Sequence, residues 1–437
     1  MKISRRDFQI ALGLSFLSLT TTKLHAFKNR GKSAAGIPIL QGATCPTSTQ
    51  LSILGVRDRP YFFEVIDLYN SQTIKISEQL IYKKNYSDWL NYHLVIEDLQ
   101  LDREYQLNVY TEIDGQIVDT RKFKTLNLEQ AQLNWVFGSC MFEGRHQKSI
   151  WDSLYAQKPD FIIFLGDTVY IDRKWGGSAE VSEERIWGRH IQARLVLDIY
   201  YWPELIPVIA TWDDHDFGLN DANRTFSFKE ESREIFDIFF PCYENDFYTR
   251  GPGVAKKIST FGQEFYLLDN RTFRSENLSS SEEYFGEKQL QWLEESIDRK
   301  KLTWLMQGSQ WTTPYDKTEN FQRTHNRAYL HTFNRLKSLN AKFVLCSGDV
   351  HFSEICRIPD NLLGYESMEL TSSSIHSRSV PGYSYLFKNP QRLVGTGAKN
   401  FLFINSTNKG TYIEGDVTSF SANNQIMFKM DLDKVKF

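Results

Sequence analysis

The sequence predicts a small β-sandwich followed by a layered α/β domain, and three observations predict it. At 437 residues the chain exceeds what one small core organises, which points to two domains. From about Ile39 to Leu126, short runs alternate apolar and polar residues between polar turns, with no helical period among them. Beyond Asn127, unbroken apolar runs alternate with stretches of helical period, which is the rhythm of a layered α/β domain.

Composition narrows the class of protein. Apolar residues make up 41% and aromatics 14%, as in a globular chain able to bury large cores. Fifty-one basic side chains against 54 acidic ones exclude the basic excess that an extended nucleic-acid surface needs. Five cysteines, an odd number without framework spacing, exclude a disulfide scaffold. At least one of them is free or ligates something.

Residues 1–26 read as an export signal. Arg5-Arg6 precede an apolar run from Ile10 to Leu19, and Leu24-His25-Ala26 offers a small residue for cleavage. The run is too short to span a bilayer, which takes about 20 apolar residues. A twin-arginine signal, used by the Tat machinery to export folded proteins, is the expectation. The mature chain is then periplasmic or secreted, with no stable membrane span after cleavage.

The sandwich is expected over 39–127. QLSILGV, YFFEVIDL, NYHLVIEDL, YQLNVYTEI and VDTRKFKTL supply its strands. It looks like a fibronectin/Ig-like sandwich, and with no cluster of His, Cys and acids it reads as a support or lid. The α/β part is expected over 131–437. Strands are predicted at Leu133–Phe137, Phe161–Leu165, Leu205–Thr211, Glu264–Leu268, Leu302–Met306 and Lys342–Cys346. Helices are predicted at Ile150–Ala156, Glu184–Tyr201, Phe228–Phe240 and Phe285–Arg299. FLFINST, TYIEGDVTSF and QIMFKMDL finish the chain as an antiparallel meander.

The chemistry gathers at strand ends. Leu165 is followed by Gly166-Asp167, with Tyr170 and Asp172 in the same turn. Phe137 leads to Gly138-Ser139-Cys140, Thr211 to Trp212-Asp213-Asp214-His215-Asp216, and Cys346 to Ser347-Gly348-Asp349-Val350-His351. Open α/β sheets place ligands beyond the carboxyl ends of their strands. One such turn is usually a cap, but four in one domain point to a metal centre with at least two ions. Asp213, Asp214 and Asp216 around His215 repel unless cations or hydrogen bonds compensate. Carboxylates suit a hard cation such as Ca²⁺, while a thiolate and a phenolate suit Fe³⁺ better than Mg²⁺.

The motifs FGSC, PDFIIFLGDTVYID, TWDDHDFGLND, FYLLDNRTFRS, FGEKQLQWLEESI, LTWLMQGSQW, LCSGDVHFSEI and MELTSSSIHS resemble, in order and spacing, the alkaline phosphatase D (PhoD-like) family of the metallophosphoesterase superfamily. The superfamily's first Asp-x-His motif is absent, and GSC stands in its place. The resemblance implies a four-layer α-β-β-α sandwich. It implies that Asp167 bridges two metals, that Cys140, Tyr170 and His351 hold Fe³⁺, and that Asp214 with Asp349 holds Ca²⁺ or another divalent ion.

The implied reaction is hydrolysis of small-molecule or polymer phosphate esters, mono- or diesters, by metal-bound hydroxide. His215 is expected to donate to the leaving oxygen, Asp216 to orient that imidazole, and Asn220 to help bind phosphate. Asp172 is read as structural. Asp269, Arg271 and Arg274 are read as an ion-pair network, Tyr200-Tyr201-Trp202 as packing, and Cys242, Cys346 and Cys356 as small buried hydrophobes. Gln310, Ser372 and His376 stand beyond apolar runs as candidate pocket residues. The rival readings are a phospholipid or teichoic-acid-type phosphodiesterase, and a non-catalytic surface binding protein with structural metals. A purple acid phosphatase-type enzyme would need histidine-rich motifs that are missing.

Overall fold

Two aromatic-rich sheets face each other in the α/β part, and their carboxyl-end turns form the site. The computed structural model describes residues 36–432 apart from 114, 129, 131, 175–176, 280–281, 316–317 and 410–411. The expected export signal at 1–26 lies outside the described residues.

The first sheet has six strands in the order Val208–Thr211, Phe161–Leu165, Leu133–Gly138, Asn400–Asn408, Ile413–Ser421, Ile426–Asp431. Phe161–Leu165 pairs in parallel with both Leu133–Gly138 and Val208–Thr211, so three of the motif turns leave the same edge of the sheet. The C-terminal meander is antiparallel, as expected, and joins the sheet beside Leu133–Gly138. The second sheet has eight strands. Gln263–Leu267, Leu302–Met306, Lys342–Ser347 and Ser367–Ser372 run parallel at its centre, and antiparallel strands flank them.

Mostly apolar residues form these central strands because both of their faces are buried. Trp135, Phe137, Phe161 and Ile163 of the first sheet share one cluster with Phe265, Trp304, Cys346 and Leu370 of the second. Within it Trp135 meets Trp304 edge-on, with ring centroids 4.9 Å apart. The alternate residues Val136, Ile162 and Phe164 pack instead with Trp151, Leu154, Trp187 and Phe236 of helices Lys148–Ala156, Glu183–Val196 and Lys229–Phe239. On the second sheet, Tyr266, Leu305, Phe343 and Leu345 pack with helices Glu287–Ser296 and Asn326–Ser338. Each such large apolar side chain contributes about 1.5–3 kcal/mol by leaving water.

Ahead of these lie two four-stranded sheets that share a core of Leu51, Ile53, Tyr92, Leu94, Tyr105, Leu107 and Phe123. They hold directly to the α/β part. Arg121 Nη1 donates to the Trp202 carbonyl at 2.7 Å, and His93 Nδ1 meets the Tyr243 hydroxyl at 2.8 Å. By contacts, the described residues from Ile37 on form one unit.

Several element ends differ from expectation. The strand predicted from Leu205 starts at Val208, because the Leu205 N–H donates to Lys122 of the sandwich and Pro207 has no N–H for the ladder. The helix predicted to Tyr201 ends at Val196, and a 3₁₀ turn over Asp198–Tyr201 follows. The helix predicted from Phe285 starts at Glu287, after Gly286 with φ 75°. Among the described residues no helix is long and apolar enough to cross a membrane.

Candidate metal centre

Four of the residues expected to hold metal sit in the left-handed backbone region: Cys140 at φ 62°, Asp167 at 53°, Asp349 at 72° and His351 at 66°. Outside glycine and asparagine this conformation is uncommon, and strain of this kind concentrates at functional sites. The tight turns also need glycine. At Gly166, φ 79°, an added Cβ would lie 2.4 Å from the Cβ of Asp213; at Gly348 it would lie 2.5 Å from Ser139 Oγ. These glycines let the turns close on one another.

The donors converge on Asp167, which is buried. Tyr170 Oη is 3.0 Å from Asp167 Oδ2, and Cys140 Sγ is 3.4 Å from the same oxygen. Ligand atoms of Cys140, Asp167 and His351 lie within 4.8 Å of one another, as do those of Asp167, Asp214 and His215. A third group adjoins them, Asp214 with Asp221 and Glu319. Asp349 falls outside these three groups, but its carboxyl feels Asp213, Asp214, Glu319 and Asp167. Ser373 Oγ supports the cluster, bonding the His351 N–H at 2.9 Å and lying 3.2 Å from Cys140 Sγ.

The donor set fits cations. Asp167 Oδ1 is buried and has no hydrogen-bond partner, although Asp167 Oδ2 has two. Burial, and then the neighbouring acids, push Asp167 and Asp349 well above the usual carboxylate range. Burial and then Asp167 likewise raise the Cys140 thiol and the Tyr170 phenol. A bound cation reverses each of these directions by favouring the ionised form.

Hydrogen bonds already satisfy two of the three adjacent acids. Asp213 pairs with Arg271 and accepts from Asn270 Nδ2 at 2.9 Å. Asp216 accepts from the backbone N–H groups of Asp167, Thr168, Val169 and Asp213 at 2.6, 2.8, 2.8 and 3.1 Å. This corrects the expectation for Asp216. It clamps the Asp167 turn and does not touch the His215 ring, because its oxygens are spent on backbone donors. The partner of that ring is Asp172, whose Oδ1 is 2.8 Å from His215 Nδ1. Asp172, read as structural, is thus the acid that this ring contacts.

The other ring nitrogen, His215 Nε2, is 3.2 Å from Arg173 Nη2. With both nitrogens engaged, His215 is poorly placed to act as a ligand although it stands within the second group. Burial lowers its basicity, but Asp214, Asp167 and Asp172 outweigh that and hold it up to about 10. A cation shared by Asp167 and Asp214 would cancel the first two of those carboxylates and leave Asp172 as the main support.

Asn220 lies at the rim. Its N–H reaches Asp172 Oδ2 at 3.3 Å, and its side-chain oxygen is 3.5 Å from Arg173 Nη2. Arg271 and Arg274 form a buried ion-pair network through Glu319, at 2.8 and 2.5 Å. Asp269 ties down neighbouring backbone and Trp212. Gln310 is enclosed by Glu354 and Thr371, and Ser372 bonds the Phe137 carbonyl. The His376 N–H donates to the Cys140 carbonyl at 2.9 Å. Sequence reasoning missed Asp221, which sits within the GLND segment, and Glu319, which stands in a loop with no apolar run before it.

Residues 256–425 match the family model described as PhoD-like phosphatase. Over that segment, which is less than half of its length, the chain is similar to the PhoD-like phosphatase family, whose name denotes phosphoric ester hydrolysis. The fold matches a solved structure titled "Structure of PhoD" with a TM-score of 0.70 and 17% identity, over 92% of each chain. No curated protein sequence matches. The family match takes in Asp349 and His351, whereas Cys140, Asp167, Tyr170 and Asp214 precede it.

Proposed function

We propose that this protein is an exported, metal-dependent phosphoesterase that hydrolyses phosphate mono- or diesters. The observation that carries the reading is the convergence of Cys140, Asp167, Tyr170, His351 and Asp214 around a buried carboxylate with one unpartnered oxygen. Cys140, Tyr170 and His351 would hold Fe³⁺, Asp167 would bridge, and Asp214 with Asp349 would hold Ca²⁺. The ions would supply Lewis acidity, drawing charge from phosphoryl oxygens and acidifying a water.

The chain's own residues do the rest. His215 stands at the edge of the centre to give a proton or hydrogen bond to the leaving oxygen. Asp172 fixes its tautomer by accepting from Nδ1, which leaves Nε2 as the nitrogen for proton exchange. Arg173 beside Nε2 adds positive charge where phosphate oxygens would lie. Asn220 is a neutral contact on the same rim. The four-layer helix–sheet–sheet–helix arrangement belongs to this reading and is supported by the three cores. So does the division into a signal at 1–26, a sandwich at 39–127 and a catalytic part at 131–437. Export by the twin-arginine route is supported by Arg5-Arg6 and the short apolar run.

The test is metal analysis and an absorption spectrum on protein exported in folded form, then hydrolysis of chromogenic mono- and diesters with and without Ca²⁺. Iron, a tyrosinate-to-iron absorption band and Ca²⁺-dependent turnover are expected. A colourless, iron-free and fully active protein would overturn the ligand assignment, and a metal-loaded protein inert on every ester would overturn the activity.

A further inference from the structure

The loop after Cys140 folds across the centre and leaves a cation there without an acid to match it. The Phe142 ring packs 5.1 Å from the Tyr170 ring, and a 3₁₀ turn over Glu143–Arg145 follows. Glu143 is buried and paired with Arg189 at 2.5 Å. Arg145 is exposed and, among the described residues, pairs with no carboxylate. The ionisable groups that act on it are Arg378, Tyr170 and Arg173.

Arg378 comes from another loop, two residues past His376, whose N–H is anchored on the Cys140 carbonyl. It too is exposed and has no carboxylate partner among the described residues. Lys399 comes from a third segment, just before strand Asn400–Asn408. It bonds the side-chain oxygen of Gln147 at 2.9 Å, and Arg145 is the charged group that acts on it. In a chain of 51 basic and 54 acidic side chains, three segments thus bring three cations, without carboxylate partners among the described residues, close to the loop that follows Cys140. Like charges gathered this way repel, which fits a site whose occupant is an anion.

We propose that Arg145, Arg378 and Lys399 form a subsite for a second phosphate group carried close to the scissile one. The two guanidiniums present planar forks suited to phosphate oxygens, and the ammonium adds a point charge. Arg173, beside His215 Nε2 at 3.2 Å, is left for the scissile group. The inference rests on the phosphoesterase reading and adds to it a substrate class, esters with two neighbouring phosphates.

The experiment compares kcat/KM for a nucleoside 5′-diphosphate and the matching 5′-monophosphate, on metal-supplemented full-length protein. The wild type, Arg145→Gln, Arg378→Gln and the double variant are measured. The wild type should prefer the diphosphate. The double variant should lose about tenfold or more on it, mainly through KM, since two charge-assisted contacts to the second phosphate are removed. Its loss on the monophosphate should be several-fold smaller, and its unfolding midpoint should match the wild type's. No preference in the wild type, or equal losses on both substrates, would overturn the subsite and leave the phosphoesterase reading intact. Failure of the wild type on every phosphate ester, chromogenic ones included, would overturn both.

Discussion

Asp172 Oδ1 lies 2.8 Å from His215 Nδ1, and both groups are almost wholly buried. The pair is held together through the backbone as well, since the Ile171 N–H donates to the His215 carbonyl at 3.0 Å. A carboxylate so placed fixes the ring's tautomer and orientation. Asp172→Asn should lower kcat/KM about 10²-fold, the lower end of what positioned acid–base groups contribute. Metal content and the unfolding midpoint should stay near wild type, and the pH–rate profile should shift. Wild-type turnover with an unchanged profile would remove Asp172 from the mechanism.

Asp167 predicts opposite effects on function and stability. Asp167→Asn should strip the centre of metal and reduce hydrolysis to background. In chelator the same variant should be more stable than wild type by about 1–3 kcal/mol, because a buried carboxylate with an unpartnered oxygen becomes neutral. Metal analysis and urea midpoints with chelator check both halves. Normal metal content would sink the bridging role.

Gly166 is the position where adding one methyl group should disturb the site most. At φ 79°, with a Cβ 2.4 Å from that of Asp213, Gly166→Ala should cost about 3 kcal/mol or more. Chemical denaturation with metal present measures it. A cost below about 1 kcal/mol would show that the two turns separate freely.

Acid should destabilise the fold through buried histidines away from the metal centre. Desolvation holds His93 down to about 4, against an ordinary 6.5. The unfolded chain therefore takes up a proton below 6.5 that the native chain refuses until about 4. The stabilising contribution is complete above 6.5 and falls as pH drops through that window, by up to about 1.4 kcal/mol per pH unit. His190, held to about 3, and His325, to about 4, act in the same direction. Urea midpoints at pH 8, 6 and 5 should decline, and His93→Gln should flatten the slope. An equal slope in that variant would assign the decline to other groups.

Much of the centre was legible because parallel strands buried on both faces need unbroken apolar runs, so their ends stand out. Phe161–Leu165 followed by Gly166-Asp167 is such a case, and Lys342–Ser347 followed by Gly348-Asp349 is another. Asp172 was not legible in this way. It reaches His215 only because the turn after Asp167 doubles back, a bend set by the five bonds that Asp216 accepts. Glu319 was less legible still. It follows no apolar run, and it enters the site through Arg271 and Arg274, on a segment distant in sequence. The sandwich was readable as alternating strands, but its grip on Trp202 and Ile238 depends on Arg121 and His93 in three dimensions.

Strand Asn400–Asn408 lies directly against strand Leu133–Gly138, which leads into Cys140, and its Asn405 bonds Asn134 across 271 residues of chain. A ribosome delivers these partners far apart in time. Until the last tenth of the chain has emerged, strand Leu133–Gly138, which leads into Cys140, has an open edge. Pairings this remote also make for slow folding. The sheet that carries the Cys140 and Asp167 turns is therefore closed on that edge only by the end of the chain.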